Sequence, residues 1–383
     1  MFTGWETQRW REQVLAYERS LWLRIRFAGP VLVNHEAHQG SKFLRLDESS
    51  TSSLLLFDYY DPTKKSTGIK LVDIERDKPI VHSTKPNQLT KQRLCDVQWY
   101  PFDSGLFATG HAKGNVRIWD TEQLKQVRTF ELQTGCTQLA MSPVPSSHSA
   151  LLAVACERGE IRLIDLFSQN FAQSLQMESG KHTSAVCWST RDANVLASAE
   201  ESGRVLIWDI RKPNHELQVL DEHNQTISSF GNSKRMRCFA HDHAVNTIRF
   251  TEQGRALLTC DDLGTIKVWR ETNMLNQYRH THLVFRRLRA SADAIAVSSR
   301  TDLLFAGDGE YVKCYDGVKG GARNPLTTLA GHARRVRAIA LREQHQQLYT
   351  LADDGFIVRW QFDSVSNPTA TITTAQDHDD WSD

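Results

Sequence analysis

Two hydrophobic periods divide the chain. Over residues 3–27, Trp10, Val14, Tyr17, Leu21 and Ile25 recur at steps of 4, 3, 4 and 4, which places them on one helical face, and Trp5, Leu15 and Trp22 widen it. Thr3 with Glu6 makes a capping-box pattern, and Gly29-Pro30 supplies a stop. From about residue 31 the pattern changes to short β-prone runs. Seven of them end in an aromatic or aliphatic residue followed by a polar one: Val72-Asp73, Trp119-Asp120, Ile164-Asp165, Trp208-Asp209, Trp269-Arg270, Tyr315-Asp316 and Trp360-Gln361. Their second positions lie 47, 45, 44, 61, 46 and 45 residues apart.

A unit of about 40 to 45 residues made of four short strands is the period of a propeller blade. Seven units predict an all-β, seven-bladed WD40 β-propeller over residues 30–365 with an N-terminal amphipathic helix over residues 1–29. The last blade then needs an outer strand from elsewhere, and residues 31–33 and 369–373 are both candidates. Residues 366–383 form an acidic tail around Trp381, of a composition that favours disorder. The long spacing of 61 implies an insertion at about residues 222–240, made locally basic by Lys234, Arg235 and Arg237. It reads either as a solvated loop or as a contact with a partner or a nucleic-acid backbone.

The blade signature is worn. Gly331-His332 opens the seventh unit, Lys181-His182 the fourth and Ala240-His241 the fifth, where a well-formed repeat carries Gly-His. The hairpin aspartate six residues before the tryptophan survives at Asp354, whereas Lys113 and Ser202 replace it in the second and fourth units. His332, Thr350, Asp354 and Trp360 are therefore expected to form a structural hydrogen-bond chain rather than a catalytic one.

Composition narrows the function. A formal net charge of +1 gives no bulk bias toward nucleic acid, so any such contact is weak and local. Seven cysteines spread singly, with no CxxC pair, predict reduced thiols rather than disulfides or a zinc site. No run of about 18 uncharged apolar residues suggests a membrane span. Nucleophile elbows, phosphate loops and HExxH are absent, and His35, Glu36 and His38 match a metal set only superficially. No catalytic residue, cofactor or metal is expected, which leaves a rigid disc that binds macromolecules.

Within residues 203–211 (GRVLIWDIR), the apolar run and Trp208 serve blade packing, but nothing in a blade requires Arg211. DVQWYPFDSGLF at 96–107, WDTEQL at 119–124, MSPV at 141–144, RVLIWDIR at 204–211 and LDEHN at 220–224 resemble the Cockayne syndrome group A family, WD-repeat substrate receptors of cullin-4 RING ubiquitin ligases. The resemblance runs from about His38 to Trp360, with VQWYP at 97–101 its most specific block. It implies a nuclear, non-catalytic receptor in transcription-coupled nucleotide excision repair, working beside the Cockayne syndrome group B ATPase at stalled RNA polymerase II. It also implies docking to the large subunit of the damage-binding adaptor, which joins the receptor to cullin-4 and the RING subunit. The family docks through an N-terminal helical segment and a WD-x-Arg motif, which carries over to Trp208, Asp209 and Arg211 and to the helix bearing Trp10, Val14, Tyr17, Leu21 and Trp22. That helix either projects into a partner, as its three tryptophans favour, or folds back on its own ring. The alternative from another class is a WD-repeat scaffold or peptide reader without a ligase role, in which Arg211 pairs only with a neighbouring carboxylate.

Overall fold

The computed structural model describes residues 25–33, 42–47, 53–61, 63–75, 81–85, 89–143, 150–224, 238–251, 254–272, 276–285, 292–298, 301, 303–316 and 324–362. Among the described residues, twenty-eight strands form seven antiparallel sheets of four. The first strand, β1 (Ile25–Val33), joins the last sheet. Blade 1 holds β2 (Leu44–Leu46), β3 (Leu54–Asp61), β4 (Ser66–Asp73) and β5 (Val81–Ser83). Blade 2 holds β6 (Leu94–Trp99), β7 (Leu106–His111), β8 (Asn115–Asp120) and β9 (Lys125–Glu131), and blade 3 holds β10 (Cys136–Met141), β11 (Leu151–Cys156), β12 (Glu160–Asp165) and β13 (Asn170–Gln176). In blade 4 these are β14 (Thr183–Trp188), β15 (Val195–Glu200), β16 (Val205–Asp209) and β17 (Gln218–Val219). Blade 5 follows with β18 (Val245–Thr251), β19 (Ala256–Asp261), β20 (Ile266–Glu271) and β21 (Tyr278–Phe285), and blade 6 with β22 (Ile295–Val297), β23 (Leu303–Asp308), β24 (Tyr311–Asp316) and β25 (Thr327–Ala330). Blade 7 comprises β26 (Val336–Arg342), β27 (Gln347–Ala352), β28 (Phe356–Phe362) and β1. All seven residue pairs read from the repeat fall at or near the end of the third strand of their blade.

Burial follows from the ring. A sheet has two faces, and in a closed ring each must be covered by a neighbouring blade. Among the described residues the buried apolar side chains accordingly form seven clusters, each spanning two adjacent blades. Leu163 and Leu175 of blade 3 join Trp188, Leu196 and Trp208 of blade 4, and Val205 and Ile207 of blade 4 join Ile248, Leu257 and Trp269 of blade 5. Second strands, covered on both faces, are buried along their whole length in β15, β19 and β27, whereas the outer β9 is largely exposed.

Closure comes from residues 31–33 rather than 369–373, but the strand is longer than the sequence implies. It pairs antiparallel with β28 from Ile25 opposite Phe362 to Val33 opposite Phe356. The helix expected over residues 3–27 therefore cannot include Ile25, Arg26 or Phe27, and the domain boundary drawn at residue 29 moves to before Ile25. Gly29-Pro30 is not a helix stop: the register shifts between Phe27 and Gly29 and again between Pro30 and Leu32. An outermost strand accommodates proline at such irregularities because it lacks a second partner needing the missing N–H. The remainder of the expected helix lies outside the described residues.

Polar locks hold the hairpins. His332 Nε2 lies 2.7 Å from Thr350 Oγ1 and its Nδ1 lies 3.0 Å from Asp354, while the Trp360 indole N–H donates to Thr350 at 2.8 Å. Burial holds the His332 pKa below its ordinary value, so the ring is neutral and bridges a carboxylate to a hydroxyl. Blade 5 repeats the arrangement with His241, Thr259 and Trp269, but its carboxylate, Asp261, stands two residues after the threonine instead of four. In blade 2, Trp119 donates to Thr109 at 2.9 Å and Thr109 meets His111, whose pKa burial lowers to about 3.

Candidate docking site

Arg211 follows β16 at the end of the ring where first strands turn into second strands and third into fourth. Gly203 starts this segment at φ +89°, and a Cβ there would collide with the His241 carbonyl, so the turn requires glycine. The chain then runs fully buried through Val205, Leu206, Ile207, Trp208 and Asp209. Trp208 is 1% exposed and donates its indole N–H to Ser198 at 2.8 Å, which gives it a packing role and no surface to offer a partner.

Asp209 and Arg211 form a closed turn. Asp209 Oδ1 accepts from the Arg211 backbone N–H at 3.0 Å and from its Nε at 2.9 Å, while Oδ2 accepts from Nη2 at 2.8 Å. The Arg211 hydrogen bond lowers the Asp209 pKa, and the same bond raises that of the arginine, so both stay charged. The guanidinium is thus oriented by two charge-assisted bonds while 63% of its side chain stays in solvent. Gln173 of blade 3 donates to the Ile210 carbonyl at 2.8 Å, tying the turn to the adjacent blade. On the other side, Arg191 forms a bidentate pair with Glu271 of blade 5 at 2.8 and 2.7 Å.

The equivalent position after the Ile164-Asp165 pair of blade 3 is Phe167, which is 60% exposed. An arginine and an aromatic ring, residue types each enriched at interfaces, therefore occupy matching turns on adjacent blades. The register Asp plus two finds Phe167 in the sequence, but only exposure distinguishes it from a core residue. In blade 2 the same position is Glu122.

The other candidates occupy different places. Trp10, Val14, Tyr17, Leu21 and Trp22 lie outside the described residues, as do Lys234, Arg235 and Arg237. However, Ile25 pairs with Phe362, the residue at the end of β28. The chain preceding Ile25 thus joins the propeller on the face that carries Arg211, at a blade on the far side of the ring. The basic insertion is anchored at the other end of the ring. Glu222 N–H donates to the Phe239 carbonyl at 3.0 Å, and Lys267 pairs with Glu222 at 2.8 Å and donates to the Ala240 carbonyl at 2.8 Å. His332, Thr350, Asp354 and Trp360 come together as the lock described above, three of them buried and Asp354 half-buried, in a blade across the ring from Arg211. Among the described residues, no group of three His, Cys, Asp or Glu side chains is arranged to hold a metal ion, and all seven cysteines are free thiols.

Seven four-stranded blades, four of them with a tryptophan lock and two with a strand-end Trp-Asp pair, define a seven-bladed β-propeller of WD40 repeats, a fold that typically serves as a non-catalytic scaffold. The WD domain, G-beta repeat family model matches residues 232–270. The chain is 25% identical over 361 residues to WD repeat-containing protein ATCSA-1 of Arabidopsis thaliana, covering 76% of this chain and 77% of that protein. It is 27% identical over 195 residues to Radiation-sensitive protein 28 of Saccharomyces cerevisiae, covering 47% of this chain and 38% of the yeast protein. Among solved structures, the β-propeller domain of Cps50 (Swd1) from Myceliophteria thermophila superposes with a TM-score of 0.68 at 16% identity, over 88% of this chain and 99% of that one.

Proposed function

We propose that the protein is a substrate receptor of a cullin-4 RING ubiquitin ligase, docking to the damage-binding adaptor through the face that carries Arg211. The observation that carries this reading is an exposed guanidinium pre-oriented by Asp209 on the same face at which the chain preceding Ile25 joins the ring. Such a pair offers a fixed cation at low ordering cost, and a second contact from the N-terminal segment across the ring sets the angle of docking. The likeness to ATCSA-1 over three quarters of the chain, and to a protein named for radiation sensitivity, supports a role in DNA repair. Placing that role in transcription-coupled repair in the nucleus, beside the group B ATPase and RNA polymerase II, extends the family resemblance. The mechanism is positional: tethering raises the concentration of a bound substrate near the ubiquitin-loaded enzyme.

Co-purification of the full-length chain with the adaptor and cullin-4 tests the reading. Arg211→Asp is expected to lower adaptor recovery at least about tenfold by setting like charges side by side. Undiminished recovery removes Arg211 from the interface, and failure of the wild-type chain to recover the adaptor removes the ligase role. The second reading, a scaffold without ligase connection, is favoured by the same turn seen differently, because Asp209 already satisfies Arg211. Target of rapamycin complex subunit wat1 of Schizosaccharomyces pombe, 21% identical over 70% of this chain and 78% of its own length, is by its name a subunit of a different complex.

A further inference from the structure

The face opposite Arg211 holds an open cavity of about 440 Å3 between blades 1 and 2. Three connections converge on it: Lys42 just before β2, the turn 63–65 between β3 and β4, and segment 89–93 leading into β6. Thr67 and Thr90 exchange backbone hydrogen bonds of 2.8 and 3.1 Å, which fixes the third connection to blade 1. Lys42, Lys65, Lys91 and Arg93 line the cavity and are all exposed, and among the described residues none of the four is in an ion pair.

One carboxylate, Asp58, also lines the cavity, but it is committed to the backbone. Its Oδ1 accepts from the Lys42 and Phe43 N–H groups at 2.7 and 2.9 Å, and the residue is buried. Four cations therefore face one internally bonded anion. Mutual repulsion of unpaired cations around one opening costs stability unless an anion enters. Lys65 strengthens the point, since it sits at φ +48°, a left-handed conformation in which a turn alone would favour glycine or asparagine.

We propose that this cavity is a binding site for an acidic peptide segment, whose carboxylate or phosphate oxygens are gripped by Lys42, Lys65, Lys91 and Arg93. The volume falls within the range of about 300 to 1,000 Å3 that holds small ligands or a few side chains. The exposed ring of Tyr60 and the hydroxyl of Thr67 supply an apolar wall and a neutral donor. The cations surround a bounded opening instead of tracking along a face, and the whole chain carries a net charge of +1. A nucleic-acid backbone calls for an extended basic stripe with stacking aromatics, so a peptide is the better match. The site lies across the ring from Arg211 and does not depend on adaptor docking.

Fluorescence anisotropy on the full-length chain tests the proposal with three labelled probes: an oligoglutamate peptide, a phosphoserine peptide of equal length, and a single-stranded oligodeoxynucleotide of equal charge. At least one peptide is expected to bind, weakening with salt, and the double substitution K65E/R93E is expected to reduce that affinity at least about tenfold. The thermal midpoint of K65E/R93E should not fall below that of the wild type, because both side chains are exposed and the change relieves repulsion among the cations, and R211D should bind the peptides as the wild type does. Preference for phosphoserine identifies phosphate as the recognised group, and equal binding identifies carboxylates; both support the site. The proposal is overturned if neither peptide binds, if K65E/R93E binds as well as the wild type, or if the oligonucleotide binds more tightly and loses as much to the substitution.

Discussion

Blades 4 and 7, on opposite sides of the ring, answer one packing problem with different chemistry. In blade 7 the tryptophan hydroxyl partner, Thr350, is backed by neutral His332 and by Asp354. In blade 4 the partner is Ser198, no histidine bonds to it among the described residues, and two residues further along the same strand stands buried Glu200. Glu200 accepts from Ser179 and Ser202 at 2.7 Å each and faces the Arg204 guanidinium at 3.7 Å. Among the described residues His182, which the pattern Lys181-His182 offers as the opening histidine, is not hydrogen-bonded to Ser198, and it is Ser179 that bonds Glu200. The invariant device is thus a Ser or Thr hydroxyl accepting an indole N–H, and what steadies the hydroxyl's strand is free to vary. The short outer strand β17 pairs only with Leu206 and Ile207, so the end of β16 runs on into Asp209 and Arg211, whereas β1 pairs with β28 as far as Phe362.

The largest effect should come from the closure of blade 7. Removing residues 1–33 exposes the edge of β28 and leaves the seventh blade with three strands, so cooperative unfolding should be lost and the protein should aggregate. Removing residues 1–24 spares that strand, and the thermal midpoint should stay near that of the full chain. Cooperative melting of the shorter protein at the wild-type temperature would show that β1 is dispensable. A cut at residue 27 is a poor test of the N-terminal segment, because it also strips Ile25, Arg26 and Phe27 from their partners Phe362, Gln361 and Trp360.

Next come the two locks. Thr350→Val removes the hydroxyl that accepts the Trp360 N–H and meets His332 Nε2, and about 2 to 4 kcal/mol of stability should be lost in urea titrations. Ser198→Ala strands only the Trp208 N–H and should cost about 1 to 2 kcal/mol. Equal losses would mean that the histidine adds nothing to the blade 7 lock.

Acid should separate them further. Burial depresses the pKa of His332, His241 and His111, the last to about 3, below the ordinary 6.5. Each therefore contributes stability that is present above pH 6.5 and is lost as pH falls through the folded value, at up to about 1.4 kcal/mol per pH unit. Asp58 acts in the opposite sense: burial raises its pKa to about 6, so its contribution is present below pH 3.8 and lost as pH rises through about 6. Three histidines against one aspartate give a net fall in stability from pH 6.5 downward. His332→Gln should flatten that fall, and an unchanged pH profile would exclude His332 as a source. The smallest effect belongs to Arg211→Ala, whose exposed side chain leaves the unfolding midpoint unmoved even where adaptor recovery drops.

Much of this was legible in the repeat. The seven strand-end pairs carry the fold because Trp119, Trp208, Trp269 and Trp360 must each reach the same interblade layer, which enforces regular spacing. A further signal is present too: Thr109, Ser198, Thr259 and Thr350 each stand ten residues before a tryptophan, and all four accept its N–H. The blade 5 carboxylate was harder to see, because Asp261 reaches His241 from a neighbouring register position that a fixed spacing passes over. Glu200 gives no pattern at all; its role depends on Ser179, which a different stretch of chain brings alongside.

The sequence by itself determined the number of blades, the place of the insertion and the oddity of Arg211, since each follows from periodicity along the chain. Tertiary structure alone decided where the N-terminal period ends, because Ile25 suits a helical stripe and a strand equally until β28 offers it an unpaired edge. It alone decided that Trp208 is buried while Phe167 is not, and that Lys42, Lys65, Lys91 and Arg93 surround one cavity. The physical reason is the same in each case. Spacing along a chain dictates local repeats, whereas exposure and charge proximity depend on which strands the closed ring sets side by side.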